Sequence, residues 1–432
     1  MENANRKIVN IIGGGLAGSE AAYFLLKKGY EVHLYERRPH YDDHAHTTAL
    51  FGELVCSNSL KSSKLDNACG LLKEEIKNMG SIMMEAAEVS SVPAGAALSV
   101  DRDLFAENIT AKLRSFPNLV IHEEEVVELF DTPTILATGP LTDGKLMEVL
   151  SKTIGEKSLS FFDASAPIVR KDSIDFSKAY FKSRFEQGDA AYINCPFTRP
   201  EYELFVRELV GAEKAMLHSF DTKYFEACLP VEVIASRGIE TLRHGPLKPF
   251  GLGNEDHPKP YAVVQLRQDT KLGDYFNLVG FQTNLTYPEQ KRVFSMIPGL
   301  ENAVFVRYGL MHRNSYINSP LVLNEDLTLK AKPNVYVAGQ LNGVEGYVES
   351  AAMGLLAAIN LYLKMEGRKQ IELSKNTILG ALNDYILHAT GSHFQPMNAN
   401  WALIPNSKKD NREETIQASL GAIKEYWAKV NE

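Results

Sequence analysis

The fold is decided by the stretch Ile8-Val9-Asn10-Ile11-Ile12-Gly13-Gly14-Gly15-Leu16-Ala17-Gly18. The apolar run before the glycines predicts a buried β-strand, and residues 16–28 predict a helix that ends at Gly29. A second short strand follows at residues 31–35, and Glu36 lies at its end. Strand, helix and strand in this order predict a parallel sheet.

Three glycines of this stretch, Gly13, Gly15 and Gly18, have the spacing of a dinucleotide fingerprint. Gly13 permits a tight turn, Gly15 lets the backbone approach a pyrophosphate, and Gly18 lets helix and strand pack closely. The helix N-terminus supplies N–H donors, and the carboxylate of Glu36 suits ribose hydroxyls. The alternative is a purely structural glycine-rich turn. The cofactor-binding residues predicted in this part are Gly13, Gly14, Gly15, Leu16, Ala17, Gly18 and Glu36.

Two later strand ends favour FAD over NAD as the dinucleotide. Ala338-Gly339-Gln340 is followed by an apolar helical pattern at residues 348–364, as in flavoproteins whose last strand returns to the flavin. Ala137-Thr138-Gly139 resembles the middle strand motif of that group. Since the sequence contains one full fingerprint, we expect the reductant, NADPH or NADH, to visit the flavin transiently. An ordinary strand-to-loop glycine is the alternative for Gly339.

Composition excludes several classes of protein. The 432 residues are 44% hydrophobic and 23% charged, which excludes a disordered chain, a collagen and a coiled-coil rod. Four cysteines without a CxxC pair exclude a disulfide scaffold and a zinc ribbon. His44 and His46 have no further ligand in their loop, so we predict no metal site. With no apolar run long enough to span a membrane and no secretory signal, we expect a cytoplasmic protein without a membrane partner.

The pattern changes in the middle of the chain. Aromatic residues and prolines become more frequent between residues 167 and 282, and the first pattern returns near Val335. We therefore predict a first cofactor-domain segment at residues 1–166, an inserted domain at 167–300, and a second cofactor-domain segment with C-terminal helices at 301–432. The net charge of −8 means that an RNA partner would have to meet a local basic patch.

Two of the four cysteines are candidates for catalysis. Cys56 lies in a polar stretch at residues 53–60, and Cys228 lies in residues 225–232. A cysteine is more often a small buried hydrophobe than a nucleophile, so the residues alone leave both roles open. Cys69, on the apolar side of a predicted helix, and Cys195, before a proline, are expected to be structural.

Long segments of the chain resemble the folate- and FAD-dependent uracil-5 methyltransferases of RNA, the TrmFO family, and more distantly the wobble-uridine flavoprotein MnmG. The resemblance implies an α/β fold: a glutathione-reductase-like FAD-binding Rossmann domain with a mixed α+β insertion domain. The segments that carry it are residues 12–22, 53–60, 91–98, 137–141, 261–269, 308–314, 339–354 and 394–400.

The resemblance implies that NAD(P)H reduces FAD and that methylenetetrahydrofolate donates a one-carbon unit through flavin nitrogen 5 to carbon 5 of a uridine. Carbon 5 of uracil is a poor nucleophile, and a thiolate that adds to carbon 6 activates it. The family's two functional cysteines map to Cys228, as nucleophile, and Cys56, which would remove the carbon 5 proton or protect the site. Arg237 and Lys248 are candidate cationic neighbours that would favour the thiolates.

The flavin and folate face is expected on one late segment, where Tyr347 would stack on a planar ring. Without the resemblance, a glycine-rich loop before a core helix explains the same residues. The residues implied there, with Gly139 from the middle motif, are Gly139, Gly339, Gln340, Asn342, Gly343, Gly346, Tyr347 and Glu349.

The expected RNA substrate is tRNA, at its T-loop uridine, because an unpaired loop gives access to the base. Three departures from the family pattern, Asn284, Arg37 and Gly52, leave open the RlmFO paralogue that acts on 23S ribosomal RNA. A flavin-binding partner protein without methyltransferase activity is a further alternative. The arginines considered for RNA contact are Arg184, Arg237, Arg267, Arg307 and Arg313.

Overall fold

The computed structural model describes residues 7–38, 40–41, 45–155, 159–186, 190–215, 229–390, 394–405 and 407–432. The strands are β1 Ile8–Ile12, β2 Glu31–Tyr35, β3 Ser59–Ser62, β4 Ser91–Val92, β5 Ala97–Val100, β6 Leu119–His122, β7 Thr134–Leu136, β8 Leu159–Ala164, β9 Ile168–Arg170, β10 Tyr180–Phe181, β11 Tyr192–Phe197, β12 Ala262–Gln268, β13 Tyr275–Leu278, β14 Phe305–Arg307, β15 Met311–Tyr316, β16 Thr328–Leu329 and β17 Lys332–Val337. The α-helices are α1 Leu16–Lys27, α2 Ala68–Asn78, α3 Ile82–Ser90, α4 Arg102–Arg114, α5 Gly144–Ile154, α6 Arg199–Gly211, α7 Val231–Ser236, α8 Thr241–His244, α9 Tyr287–Phe294, α10 Ser319–Val322, α11 Tyr347–Met365, α12 Ile378–His388 and α13 Arg412–Asn431.

The first large sheet has the strand order β16-β17-β7-β1-β2-β6. All neighbouring pairs from β17 to β6 are parallel, and β16 adds an antiparallel edge. In a parallel sheet the carboxyl ends of the strands lie along one edge, where ligands of α/β folds bind. The parallel sheet predicted from the first 36 residues is confirmed, and its strands come from both ends of the chain.

The second large sheet is entirely antiparallel, in the order β10-β11-β12-β13-β9-β14. It has its own hydrophobic core, which includes Phe197, Phe205, Phe276 and Phe281. The expectation of a cofactor domain with an inserted mixed domain describes this arrangement. β14 belongs to the second sheet although it follows residue 300, and the extent of the insertion at 167–300 stays a prediction.

Helices α1 and α11 cover the same face of the first sheet and touch through their backbones. A Cβ added to Gly354 of α11 would lie 2.2 Å from the carbonyl oxygen of Ala17 in α1. Only a residue without a side chain permits this approach. The last long helix is thus fixed against the first, and both begin at the cleft described below.

Two fully buried carboxylates cap helices in this domain. Glu20 of α1 accepts hydrogen bonds from the Ser81 hydroxyl and from the Met83 amide, 2.9 Å away, at the start of α3. Glu75 of α2 accepts from the amides of Ile378 and Leu379 at the start of α12, at 2.7 and 2.9 Å. Burial raises the pKa of each carboxyl from 4.5 to about 7, against the opposing effect of these hydrogen bonds.

No helix among the described residues combines the length and the apolar character that a bilayer crossing requires.

Candidate functional site

A cleft of about 770 Å³ opens at the carboxyl ends of β1, β7 and β17. Its floor is the N-terminus of α1, and one wall is the strand end at Gly339 and Gln340. Val55 and Tyr347 also line the cleft. The cleft therefore runs from the dinucleotide fingerprint to the loop that holds Cys56.

The glycines of the fingerprint occupy positions where side chains do not fit. Gly13 has φ +104°, and a Cβ there would lie 2.4 Å from the Ala137 carbonyl oxygen. A Cβ on Gly18 would lie 1.9 Å from the Gly13 carbonyl oxygen. At Gly15, the N-cap of α1, a Cβ would meet no atom within 4 Å. The turn is thus tight on its inner side and open toward the cleft, as an anion bound to helix N–H groups requires.

Glu36 lies at the end of β2, where the sequence places it, but its carboxylate is already engaged. One oxygen accepts from the Gly14 amide at 2.9 Å and from Nη2 of Arg38 at 2.8 Å. The other accepts from the amide and Nε of Arg38, at 3.1 and 3.0 Å. Burial would raise the pKa of Glu36, but the Arg38 guanidinium outweighs it and lowers that pKa. Arg38 also lines the cleft and was not among the predicted residues.

The Cys56 loop meets Tyr347 at the far end of the cleft. The Tyr347 hydroxyl accepts from the amides of Cys56 and Ser57, at 2.8 and 3.2 Å, and donates to the Cys56 Sγ at 3.1 Å. Burial, reinforced by Cys56, raises the pKa of Tyr347 well above its ordinary value, so the hydroxyl keeps its proton. The predicted stacking residue therefore has its hydroxyl fixed on the predicted catalytic loop.

A buried polar network holds the Cys56 loop against the second sheet. Asn58 donates to the carbonyl oxygens of Val100 and Gln268, at 3.0 and 2.8 Å. Its Oδ1 accepts from Nε of Arg267 at 3.1 Å and from Nδ2 of Asn277 at 3.0 Å. All four hydrogen-bonding positions of the Asn58 side chain are used, so the loop is attached to both halves of the molecule.

Three arginines surround this loop. Arg102 is paired with Asp269, with Nη2 and Oδ1 3.1 Å apart, and donates to the Leu54 carbonyl. Arg267 donates to the Ser57 hydroxyl at 2.7 Å, and Arg307 donates to the Val55 carbonyl at 3.0 Å. Burial lowers the pKa of Arg267 and of Arg307. Asp269 and Glu53 are the carboxylates that act on these three guanidiniums, so one surplus positive charge favours an anion at this end of the cleft.

A buried carboxylate lies behind Tyr347. Glu349 is fully buried in the first turn of α11, and its Oε1 accepts from Nζ of Lys61 at 3.1 Å and from the Ala399 amide at 3.0 Å. Its Oε2 has no partner among the described atoms. A Cβ on Gly346 would lie 2.2 Å from that oxygen, which explains the glycine at this position.

The predicted residues divide into two groups by position. Asn342 is fully buried, and its amide donates to the Val337 carbonyl at 3.3 Å, away from the cleft. Gly343 packs against Phe394, which a Cβ would approach to 2.4 Å. The predicted residues that line the cleft are Gly13, Gly15, Leu16, Ala17, Glu36, Gly139, Gly339, Gln340 and Tyr347. Those that support it without lining it are Gly14, Gly18, Asn342, Gly343 and Gly346.

Of the two candidate catalytic cysteines, Cys56 is partly accessible beside the cleft, and Cys228 lies outside the described residues. Cys69 is buried with its Sγ 3.5 Å from Nζ of Lys73, and Cys195 is fully buried in β11. Their burial agrees with structural roles. His44, the other half of the histidine pair considered for a metal, also lies outside the described residues.

Of the three arginines around the Cys56 loop, Arg267 and Arg307 were considered from the sequence only as RNA contacts, and Arg102 was not considered. Arg102 and Arg267 belong to the network around the loop, whereas the candidate Lys248 lines a separate groove beside Phe250 in the domain of the antiparallel sheet, called the second-sheet domain below. Arg102 carried no local signal because a charged residue at the start of a helix usually faces solvent. Its burial could have been suspected only from the resemblance of the neighbouring segments.

The three departures from the family pattern are accommodated locally. Gly52 has φ +68°, and Arg37 pairs with Asp143 at 2.7 Å. The backbone N–H of Asn284 donates to Oε1 of the buried Glu232 at 2.7 Å. Neither the Arg37 contact nor the Asn284 contact touches the Cys56 loop, and Gly52 has a left-handed conformation that glycine suits, so these positions give no reason to change the chemistry of the site.

Comparisons with known proteins point to one family over nearly the whole chain. The family model described as glucose inhibited division protein A matches residues 8–369. A methylenetetrahydrofolate–tRNA-(uracil-5-)-methyltransferase TrmFO of Lactobacillus johnsonii is 52% identical over 428 residues, which cover 98% of both chains. The protein of the same name from Listeria monocytogenes is 50% identical over 97% of this chain and 98% of its own.

A solved structure shares the fold. GidA of Aquifex aeolicus superposes with a TM-score of 0.71 at 17% identity, covering all of this chain and 74% of that one. At this identity the likeness concerns the fold alone. It places the parallel sheet and the antiparallel sheet in an architecture seen experimentally.

Proposed function

The chain belongs to the glucose inhibited division protein A family, in its TrmFO branch, and on that premise we propose that it is a folate- and FAD-dependent methyltransferase that forms 5-methyluridine in the T-loop of tRNA. One observation carries the proposal. A cleft that begins at a dinucleotide-type helix N-terminus ends at Tyr347, whose hydroxyl is bonded to the amide and the thiol of Cys56.

The residues of the cleft fit FAD. Open space at Gly15 gives a pyrophosphate access to the first N–H groups of α1. These groups form the positive end of the helix dipole, which favours an anion. A smaller adjoining pocket has apolar walls at Tyr35, Val126 and Leu146 and suits an adenine ring. Glu36 lines both spaces, so a ribose hydroxyl bound there would compete with Gly14 and Arg38 for its carboxylate, and Arg38 would face phosphate oxygens in the cleft. Bound there, FAD would supply the redox chemistry for electrons from NAD(P)H and for the one-carbon unit of methylenetetrahydrofolate.

The chain's own residues would activate the uridine. A thiolate that adds to carbon 6 of uracil makes carbon 5 nucleophilic, which is covalent catalysis. We assign this addition to Cys228 and removal of the carbon 5 proton to Cys56. The positive surroundings of the Cys56 loop favour an anionic sulfur, and the Tyr347 hydroxyl offers it a hydrogen bond.

The proposal is tested by transfer of label from methylenetetrahydrofolate, in the presence of NADPH, to an unmodified tRNA transcript and, in parallel, to a 23S ribosomal RNA fragment. We expect label in the tRNA alone. Label in the ribosomal fragment alone would contradict the assigned substrate, and label in neither RNA, with FAD bound, would contradict the enzyme activity.

The cysteine assignment has its own test. Cys228→Ala should abolish transfer and keep the yellow FAD chromophore, whereas Cys195→Ala, in the core of the second-sheet domain, should keep both. Full transfer by the Cys228 variant would exclude it as the nucleophile.

A further inference from the structure

An open groove of about 1410 Å³ crosses the second-sheet domain, away from the cofactor cleft. Four cationic side chains line it, Lys182, Arg243, Lys248 and Lys259, together with one carboxylate, Glu186. The whole protein carries a net charge of −8, so the groove opposes the overall field of the molecule. Lys248 and Lys259 have no side-chain partner among the described residues, so their charges are available to a ligand.

Two phenylalanines project into this groove. Phe250 is 67% exposed and Phe185 is 54% exposed, and their rings meet edge to face with centroids 5.4 Å apart. Exposed rings are unfavourable in water unless a partner covers them. Flat aromatic faces among cationic side chains are the composition of single-stranded nucleic-acid grooves.

The backbone at this place is strained. Phe185 has φ +56° and Glu186 has φ +55°, in a region that side-chain-bearing residues avoid. Among the described residues only two other non-glycine positions have positive φ. Glycine at 251 makes room for the Phe185 ring, which a Cβ there would approach to 2.7 Å. Strained backbone of this kind is typical of functional sites, which favours a function for the exposed ring that it displays.

The two rings are also held in place from below. The Arg184 guanidinium donates to the Phe250 carbonyl, to the Lys248 carbonyl at 3.0 Å and to Oε1 of Gln265 at 3.3 Å. The Phe185 amide donates to the Gly251 carbonyl at 3.1 Å. Arg184, considered from the sequence as an RNA contact, thus supports the loop that presents Phe250. A surface fixed in this way loses little entropy when a ligand binds.

We propose that this groove binds an unpaired segment of the substrate RNA next to the target uridine, with bases stacked on Phe250 and Phe185 and phosphates on Lys248 and Lys259. The inference rests on the proposed function and deepens it by naming the RNA surface. β12 connects the groove to the Cys56 loop, since Ala262 at its start lies two residues after Pro260, which lines the groove, and Arg267 near its end bonds Ser57. At about 3.3 Å per residue, Ala262 and Arg267 are about 17 Å apart, which a few unstacked nucleotides span.

The test compares binding of an unmodified tRNA transcript by the FAD-loaded wild type, Phe250→Ala, and the double variant Lys248→Gln with Lys259→Gln, between 50 and 200 mM salt. We expect Phe250→Ala to weaken binding about tenfold at every salt concentration, because a stacked base is lost. The double variant should reduce the slope of log K against log salt by about 1.4, since two phosphate contacts are lost.

Matched controls lie on the other side of strand β10. Side chains alternate along a strand, so Phe181 points away from the groove that Lys182 lines. Phe176 stacks on Phe181 with centroids 5.6 Å apart, and the Lys171 ammonium lies 5.4 Å from the same ring. Phe176→Ala and Lys171→Gln should bind tRNA like the wild type.

Wild-type affinity and salt slope in the groove variants would overturn the inference, as would an equal loss in the controls. The proposed function fails separately, through absence of methyl transfer by the wild type, because the groove is judged by binding alone. Unchanged absorbance of bound FAD in every variant verifies that the cofactor domain is intact.

Discussion

Replacing Glu20 with glutamine should stabilise the protein at pH 8 and leave its stability at pH 5 almost unchanged. Glu20 is fully buried in α1. Oε1 accepts both of its hydrogen bonds, from Ser81 and Met83, whereas Oε2 has no partner among the described atoms. Glutamine keeps the accepting oxygen and removes the ionisable group.

The magnitude follows from the pKa, which burial raises from 4.5 to about 7. Because the folded carboxyl holds its proton more tightly than the unfolded one, its contribution to stability is full below pH 4.5 and is lost as the pH rises through 7. At about 1.4 kcal/mol per pH unit, the loss reaches about 3 kcal/mol at pH 8 and is below about 1 kcal/mol at pH 5.

The assay is urea unfolding of the wild type and of Glu20→Gln at pH 5, 6, 7 and 8. The free energy of unfolding of the variant minus that of the wild type should increase with pH to about 3 kcal/mol. Glu107→Gln, at an exposed position of α4, is the control and should give no such trend. A difference that is the same at all four pH values would refute the argument from burial.

Three further substitutions test the cleft and its loop. Gly18→Ala should abolish FAD binding, measured by the flavin absorbance, because the alanine Cβ would lie 1.9 Å from the Gly13 carbonyl oxygen. Gly421→Ala is the control and should bind FAD normally, since a Cβ there would meet no atom within 4 Å. Tyr347→Phe should lower the rate of methyl transfer about tenfold or more with FAD still bound, since two amides and the loop thiol lose their partner; an unchanged rate would contradict this role. Asn58→Ala should lower the free energy of unfolding by about 2 to 4 kcal/mol, because it leaves buried partners unsatisfied, and a change below about 1 kcal/mol in chemical denaturation would count against the network.

The first sheet was predictable because its signals are local. The apolar run of β1, the glycines after it and the pattern of α1 lie within 20 residues, and each is dictated by turn geometry or burial. Pairings between distant segments were not predictable in this way. β15 pairs with β8 across about 150 residues of chain, and no periodicity in either strand identifies the other.

The candidate site divides in the same manner. The fingerprint glycines were assigned by spacing, and the structure places Gly13 and Gly15 at the cleft. The network of Asn58, Arg102 and Asp269 joins three separate segments, and each residue alone resembles an ordinary surface residue. Asn342 was expected at the flavin because of its neighbours, but its amide turns inward to a strand carbonyl, which sequence spacing cannot foretell.

The contact between α1 and α11 also sets an order of events during synthesis. Ile12 leaves the ribosome early, yet the strand and helix that complete its layer, β17 and α11, follow more than 300 residues later. At about 5 to 20 residues per second, the first strand waits roughly 20 to 70 s for them. The strands of the antiparallel sheet all lie between Ile168 and Arg307, so the second-sheet domain can fold on the ribosome before the cofactor domain has all of its parts.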